Sequence, residues 1–175
     1  MILSTFTILA VAMTLQAPPP NTQLDPGVTL RIYRVEPDLA KLPKLVADQT
    51  PNFDELRPTI DFRDDAAFGK VPSPFVSIVT GWIIITQQGS YEFRLTSDDG
   101  SRLNLDAKPV IDHDGRHAAT PKASGPIDLA PGLHALRIEH FDHGGKKQLT
   151  LDWRTPGERE FKPIPTDDGN GTGDL

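Results

Sequence analysis

The sequence predicts an all-β protein, an antiparallel β-barrel or sandwich. Three observations carry this. Apolar and polar residues alternate at period two in one short run after another, the pattern of half-buried strands. Turn signals such as Pro131-Gly132 and Pro156-Gly157 punctuate those runs at intervals of about 8–12 residues, the spacing of a sandwich or barrel. Proline (17) and glycine (14) are abundant among the 175 residues, which suits a loop-rich β fold better than a helical one.

The elements follow in chain order. Residues 2–15 (ILSTFTILAVAMTL) are apolar or small. The run is short for a membrane span and fits the apolar centre of a signal peptide, so residues 1–17 are expected to direct export. Residues 18–23 read as a proline-rich linker and 24–166 as the folded domain. Residues 28–35 alternate and are β-branched, a first strand. Residues 38–47 carry helical apolar spacing at Leu39, Leu42, Leu45 and Val46, and Pro43 limits a helix there to a turn or two. Residues 50–74 form a polar excursion with a short strand near 59–62. Residues 75–85 are a long apolar strand in which Gly81 predicts a bulge or bend.

Strands then follow quickly. Tyr91, Phe93 and Leu95 share one face, as do Leu103 and Leu105, and the turn at 106–108 leads to Val110 and Ile111. Residues 112–125 read as a polar loop. Leu136, Ile138 and His140 share a face of the strand after Pro131-Gly132. Leu149, Leu151 and Trp153 share a face of the next, and 161–165 predict a last short strand. Residues 167–175 are acidic and glycine-rich, a flexible tail.

Composition narrows the function. The net charge is −6 with no lysine or arginine run, which argues against nucleic acid as a partner. There is no cysteine, so disulfides, thiolate chemistry and cysteine-ligated zinc are excluded. No Gly-x-Ser-x-Gly elbow, phosphate loop or dinucleotide fingerprint is present. The count of aspartates leaves a carboxylate pair for glycoside hydrolysis open, but nothing places two of them across a cleft.

The most informative stretch is Ser97-Asp98-Asp99-Gly100-Ser101, between two alternating runs. Neighbouring side chains on an extended strand point to opposite faces. Two adjacent carboxylates therefore converge on one cation only where the backbone turns sharply, as at a cis peptide. The residues alone leave two readings open: a cation site, or a hairpin turn whose aspartate oxygens accept backbone N–H bonds. His113 and His117 stand four apart, but Gly115 places them in a loop, where that spacing does not make a zinc pair. Trp82 and Trp153 lie in strongly patterned strands and are expected in the core rather than as sugar platforms.

From Gly81 onward the order of motifs resembles the protective-antigen-fourteen (PA14) domain, a β-barrel module of bacterial toxins, glycosidases and yeast adhesins. The matching residues are Gly81-Trp82, the run from Gly89-Ser90-Tyr91 through Asp98-Asp99-Gly100-Ser101-Arg102-Leu103, Asp106-Ala107-Lys108-Pro109-Val110-Ile111-Asp112, Leu129-Ala130-Pro131-Gly132-Leu133-His134, Arg137-Ile138-Glu139-His140-Phe141 and Leu149-Thr150-Leu151-Asp152-Trp153. Ala107 stands where the family usually has glycine, and His140 where tyrosine is common. The resemblance implies a non-catalytic module that binds a glycan or polysaccharide, with Ca²⁺ as cofactor and Asp98 and Asp99 as ligands. Asp142 is the candidate third metal ligand. Asp112, His113, Asp114, Arg116, His117, His143 and Lys146 are candidates for the ligand-binding rim. The alternative is a structural or protein-interaction module, appended to a secreted or cell-surface enzyme, without a sugar site. Export would place the protein in the periplasm, on the cell surface or outside the cell.

Overall fold

A computed structural model of the chain describes residues 25–36, 38–46, 48–165 and 172–174. The expected signal peptide (1–17) and linker (18–23) lie outside the described residues. In chain order the strands are β1 (Asp25–Pro26), β2 (Val28–Arg34), β3 (Phe53–Arg57), β4 (Asp61–Phe62), β5 (Phe75–Ile85), β6 (Gly89–Asp98) and β7 (Ser101–Leu105). There follow β8 (Lys108–His113), β9 (Thr120–Ala123), β10 (Ile127–Leu129), β11 (Gly132–Asp142), β12 (Gln148–Arg154), β13 (Lys162–Pro163) and β14 (Thr172–Asp174). Every pairing is antiparallel. No helix forms among the described residues, and so none is long and apolar enough to cross a membrane.

The strands form two sheets. One runs β3-β2-β5-β11-β7-β8, with β14 beside β5 where β2 ends and β1 on the far side of β14. The other runs β10-β6-β12-β13, with β4 on β12 and β9 on β6. Period-two alternation turns one side of each strand inward. Val28, Leu30, Ile32, Val79, Ile83, Leu103, Leu105, Leu136 and Ile138 from the first sheet meet Tyr91, Phe93, Leu95, Leu149, Leu151 and Trp153 from the second in one core. The arrangement is a sandwich and not a closed barrel. Trp82 and Trp153 are buried, as their patterned strands predict.

Two local expectations are corrected. Residues 38–46 form no helix. Leu39, Leu42 and Leu45 pack on Val76, Ile78 and Phe141, the outward side of the first sheet, while Val46 is 75% exposed. Pro43 offers no N–H, and the leucines gain more by covering that apolar patch than a one-turn helix would supply. Gly81 carries no bulge, because β2 and β11 hold β5 in register and Gly81 stands directly opposite Leu136. The register shift falls instead between Leu103 and Asn104, opposite Pro109, which has no N–H to pair. Within the expected tail, residues 172–174 pair with β1 and β5, filling the edge of Trp82 and Ile83 beyond the reach of β2.

Candidate functional site

Four connections join the two sheets at one end of the sandwich, and two of these crossovers carry the acidic residues. β6 lies in the second sheet and β7 in the first, so Asp98-Asp99-Gly100 carries the chain between sheets. The loop is therefore no hairpin turn, although its aspartate oxygens do accept backbone N–H bonds: alternation gives each strand's inward side but not which sheet the next strand enters. Residues 143–147 make the return crossing from β11 to β12. The crossovers lie side by side, since Asp98 pairs with Gln148 and Ser101 with His140.

A polar layer lies beneath them. Towards this end the inward positions change from leucine and isoleucine to Ser77, Ser97, Ser101 and His140, all with no exposed surface. Ser97 Oγ and Ser101 Oγ are hydrogen-bonded at 2.7 Å, tying β6 to β7 across the sheets. His140 Nε2 stands 3.0 Å from the carbonyl oxygen of Asp98, and His140 Nδ1 2.9 Å from Ser77 Oγ. A carbonyl oxygen can only accept, so Nε2 carries the proton and Nδ1 accepts from the serine hydroxyl. Burial holds the imidazole neutral, with a pKa lowered to about 4.

Above this layer the acidic groups gather. The Asp98–Asp99 peptide is cis. Asp99 N–H donates to Phe141 O (3.2 Å) and Phe141 N–H to Gly100 O (2.9 Å), which splints the loop against the end of β11. Asp98 Oδ2 accepts from Ala119 N–H at 3.1 Å and Asp99 Oδ2 from His143 N–H at 2.8 Å. Asp142 is fully buried. Its Oδ2 accepts from Ser73 Oγ, and its Oδ1 has no hydrogen-bond partner among the described residues. Burial first, then the Asp99 and Asp98 charges, push the Asp142 carboxyl above its ordinary value, against the opposing pull of Ser73 and Lys147. Asp98 is likewise raised, chiefly by burial with Asp99 adding to it, while Ala119 N–H, His117 and Lys146 pull the other way. The three candidate metal ligands are thus within electrostatic reach of one another. Among the described residues no group of three or more His, Cys, Asp or Glu has the geometry to hold a metal ion as it stands. An orphaned, buried carboxylate oxygen within electrostatic reach of two further carboxylates nonetheless offers the oxygen chemistry that a hard cation takes.

The remaining candidates divide. Asp114 Oδ1 accepts from Leu42 N–H and Gly115 N–H, both at 2.8 Å. The Arg116 guanidinium donates to Asp38 Oδ1 at 2.9 Å and to the Leu39 carbonyl, and its Nη2 lies 3.3 Å from His143 Nδ1. These side chains strap residues 38–45 over the sheet end. Asp112 faces Arg102 at 3.5 Å, away from the acidic pair. His113 and His117 stack with ring centroids 4.0 Å apart. His113 Nε2 and both nitrogens of His117 face backbone carbonyls, so the two rings do not converge on a metal. Burial, with the His117 charge adding to it, lowers the His113 pKa. Lys146 is exposed and lines a cleft of about 390 Å³ with Asp98, Ala119, Gln148, Arg63 and Asp65.

Sequence reasoning missed His140 and Ser73 as parts of the site. For His140 the signal was present: a histidine on an inward apolar face. For Ser73 none was, since it reaches Asp142 across 69 residues.

The PA14 domain family matches residues 24–167. No curated protein matches the sequence. Among solved structures, the chain is similar to a PA14 sugar-binding domain from an RTX adhesin, at 21% identity and TM-score 0.66 over 80% of this chain and 95% of that one. It is similar to the PA14 domain of the MpAFP antifreeze protein, at 17% identity and TM-score 0.73 over 91% and 96%. It is also similar to the epithelial adhesin 9 A domain of Candida glabrata in complex with Galβ1-4GlcNAc, at 13% identity and TM-score 0.62 over 90% and 92%. These likenesses establish the shared fold.

Proposed function

This chain belongs to the PA14 domain family, and from that premise we propose that it is an exported, non-catalytic carbohydrate-binding module that takes its ligand through a calcium ion at Asp98, Asp99 and Asp142. The observation that carries the reading is the orphaned Asp142 Oδ1, fully buried and within electrostatic reach of the two crossover carboxylates. A buried carboxylate oxygen without a partner costs free energy unless something meets it. Calcium takes six to eight oxygens from carboxylates, carbonyls and water. Asp98, Asp99 and Asp142 would supply carboxylate oxygens, and the carbonyls of 143–147 are on the adjoining crossover. A calcium ion held there would supply open coordination positions suited to vicinal sugar hydroxyls. The cleft beside Asp98, with Lys146 and Gln148 on its wall, has room for a sugar ring and polar groups to orient it. Two of the similar structures are a sugar-binding domain and an adhesin holding a disaccharide, which favours the same use of the fold here. Export rests on the apolar residues 2–15.

One observation favours a second reading. Asp98 and Asp99 each already accept a backbone N–H, so the pair can serve as pins between loops in an interaction module with no sugar site. Calorimetry with calcium, followed by a glycan array with and without chelator, separates the two. Calcium uptake with chelator-sensitive glycan binding supports the first. No calcium uptake and no glycan hit overturns it in favour of the second.

A further inference from the structure

His140 has no surface, yet it is a polar ring on an inward face otherwise built from Leu136 and Ile138. Core packing alone does not call for an imidazole there, because burying its nitrogens costs unless both are paired. Both are: Nδ1 with Ser77 Oγ and Nε2 with the Asp98 carbonyl. The ring is held on two further sides, stacked on Phe68 with centroids 5.5 Å apart and edge-on to Phe75 at 6.2 Å. It is a rigid strut running from β5 through β11 to the backbone of the first crossover. Two residues further along β11 stands Asp142, so one strand end carries both the strut and the third carboxylate.

We infer that His140 is a positioning residue for the acidic site, fixing the Asp98 backbone, and through it the Asp98 carboxylate, where Asp99 and Asp142 share a cation. The inference rests on the calcium reading above. His140 touches no carboxylate and would touch no ion, so it acts only through Asp98. Ser77 has a defined part. By donating to Nδ1 it selects the tautomer whose Nε2–H can reach the carbonyl.

The test is calcium calorimetry on the full chain and on His140→Phe, His140→Gln and Ser77→Ala, with thermal unfolding of each. His140→Phe fills the space without a donor and is expected to weaken calcium binding by about tenfold, the worth of one well-placed buried hydrogen bond. His140→Gln restores an N–H donor and is expected to bind within about threefold of the parent. The nitrogen resonances of His140 should shift when the parent chain is titrated with calcium, which a histidine that only fills the core would not show. A folded His140→Phe chain that binds as the parent does overturns the inference, as does a His140→Gln chain that loses as much as His140→Phe. Should His140→Phe fail to fold, Ser77→Ala decides: a loss of several-fold in affinity supports the strut, and unchanged affinity overturns it. A parent chain that binds no calcium overturns the calcium reading and this inference together, whereas binding that survives loss of the donor overturns this inference alone.

Discussion

Asp99 Oδ2 accepts a hydrogen bond from the backbone N–H of His143 at 2.8 Å, linking two neighbouring chain crossings between the sheets. The carboxylate therefore has a role in the fold as well as a proposed role at the cation, and substitutions separate the two. Asp99→Asn keeps an oxygen of the same reach, so the crossover bond survives and stability should stay within about 0.5 kcal/mol, while loss of the charge removes calcium binding. Asp99→Ala loses both and should cost about 1 kcal/mol or more without unfolding the domain. Urea unfolding and calorimetry on the two variants check this. Equal calcium affinity in parent and Asp99→Asn would remove Asp99 from the ligand set.

The stability of the metal-free protein should fall in mild acid because of His140. Its folded pKa of about 4 lies below the ordinary 6.5, so between those values the unfolded chain binds the additional proton. The contribution is complete above pH 6.5 and is lost as pH falls towards 4, amounting to about 3 kcal/mol at most. Asp98 and Asp142 act in the opposite sense. Their raised values mean that the folded state holds protons more tightly, a contribution present at low pH and lost as pH rises through those values. Unfolding free energy measured in chelator from pH 7 to 4 should decline in the parent and decline less in His140→Gln. A parallel decline in both would show that another group titrates.

The sandwich was legible in the sequence because β6, β11 and β12 show the period-two pattern that turns Phe93, Ile138 and Leu151 inward, while β5, buried on both sides, stands out as a long apolar run. β3 and β9 were missed because they lie on sheet edges, and FDELR and TPKA present mostly exposed side chains with no alternation to detect. The Asp98-Asp99 pair was visible as a motif, but its place between sheets was not, because a local pattern does not record which ladder a strand joins. Asp142 was visible as a candidate. Its orphaned oxygen, and its meeting with Ser73, depend on contacts far apart in sequence.

Ala107 should be improvable. It sits at φ 61° in the β7–β8 turn, beside Asp106 at φ 49°. Asp106 gains compensation through Ala135 N–H, 2.9 Å from its Oδ1, and His134 Nδ1, 2.7 Å from its Oδ2. Ala107 is exposed and has no polar side chain to do the same. The left-handed region costs an L-residue about 1–2 kcal/mol, part of which glycine returns as unfolded-chain entropy. Ala107→Gly should therefore stabilise by about 0.5–1 kcal/mol, raising Tm by about 1–4 °C in a domain of this size. Scanning calorimetry checks it. A lower Tm would mean that the methyl group makes a contact worth more than the strain.

Gly100 should tolerate no side chain. A Cβ built there would stand 2.6 Å from Gly115 N, 2.6 Å from Phe141 Cε1 and 2.7 Å from Gly115 O. Two of those atoms are backbone, and the third belongs to a fully buried ring that also covers Val76 and Ile78, so none can yield cheaply. The close approach has a purpose in the fold, since it lets the 112–117 loop lie directly on the first crossover. Gly100→Ala should cost about 1–3 kcal/mol, as overpacking does. The displacement should also reach the site, because the same backbone carries Asp99 and accepts the Phe141 N–H bond at Gly100 O. Calcium affinity should therefore drop in Gly100→Ala even under conditions where the chain remains fully folded. Gly115→Ala, at φ 115° but with no atom within 4 Å of its Cβ, is the control. Its strain is local to the outer loop, so it should lose stability while keeping affinity. Equal losses of affinity in the two variants would show that general loosening of the rim, and not the Gly100 contact, sets the geometry of the acidic pair.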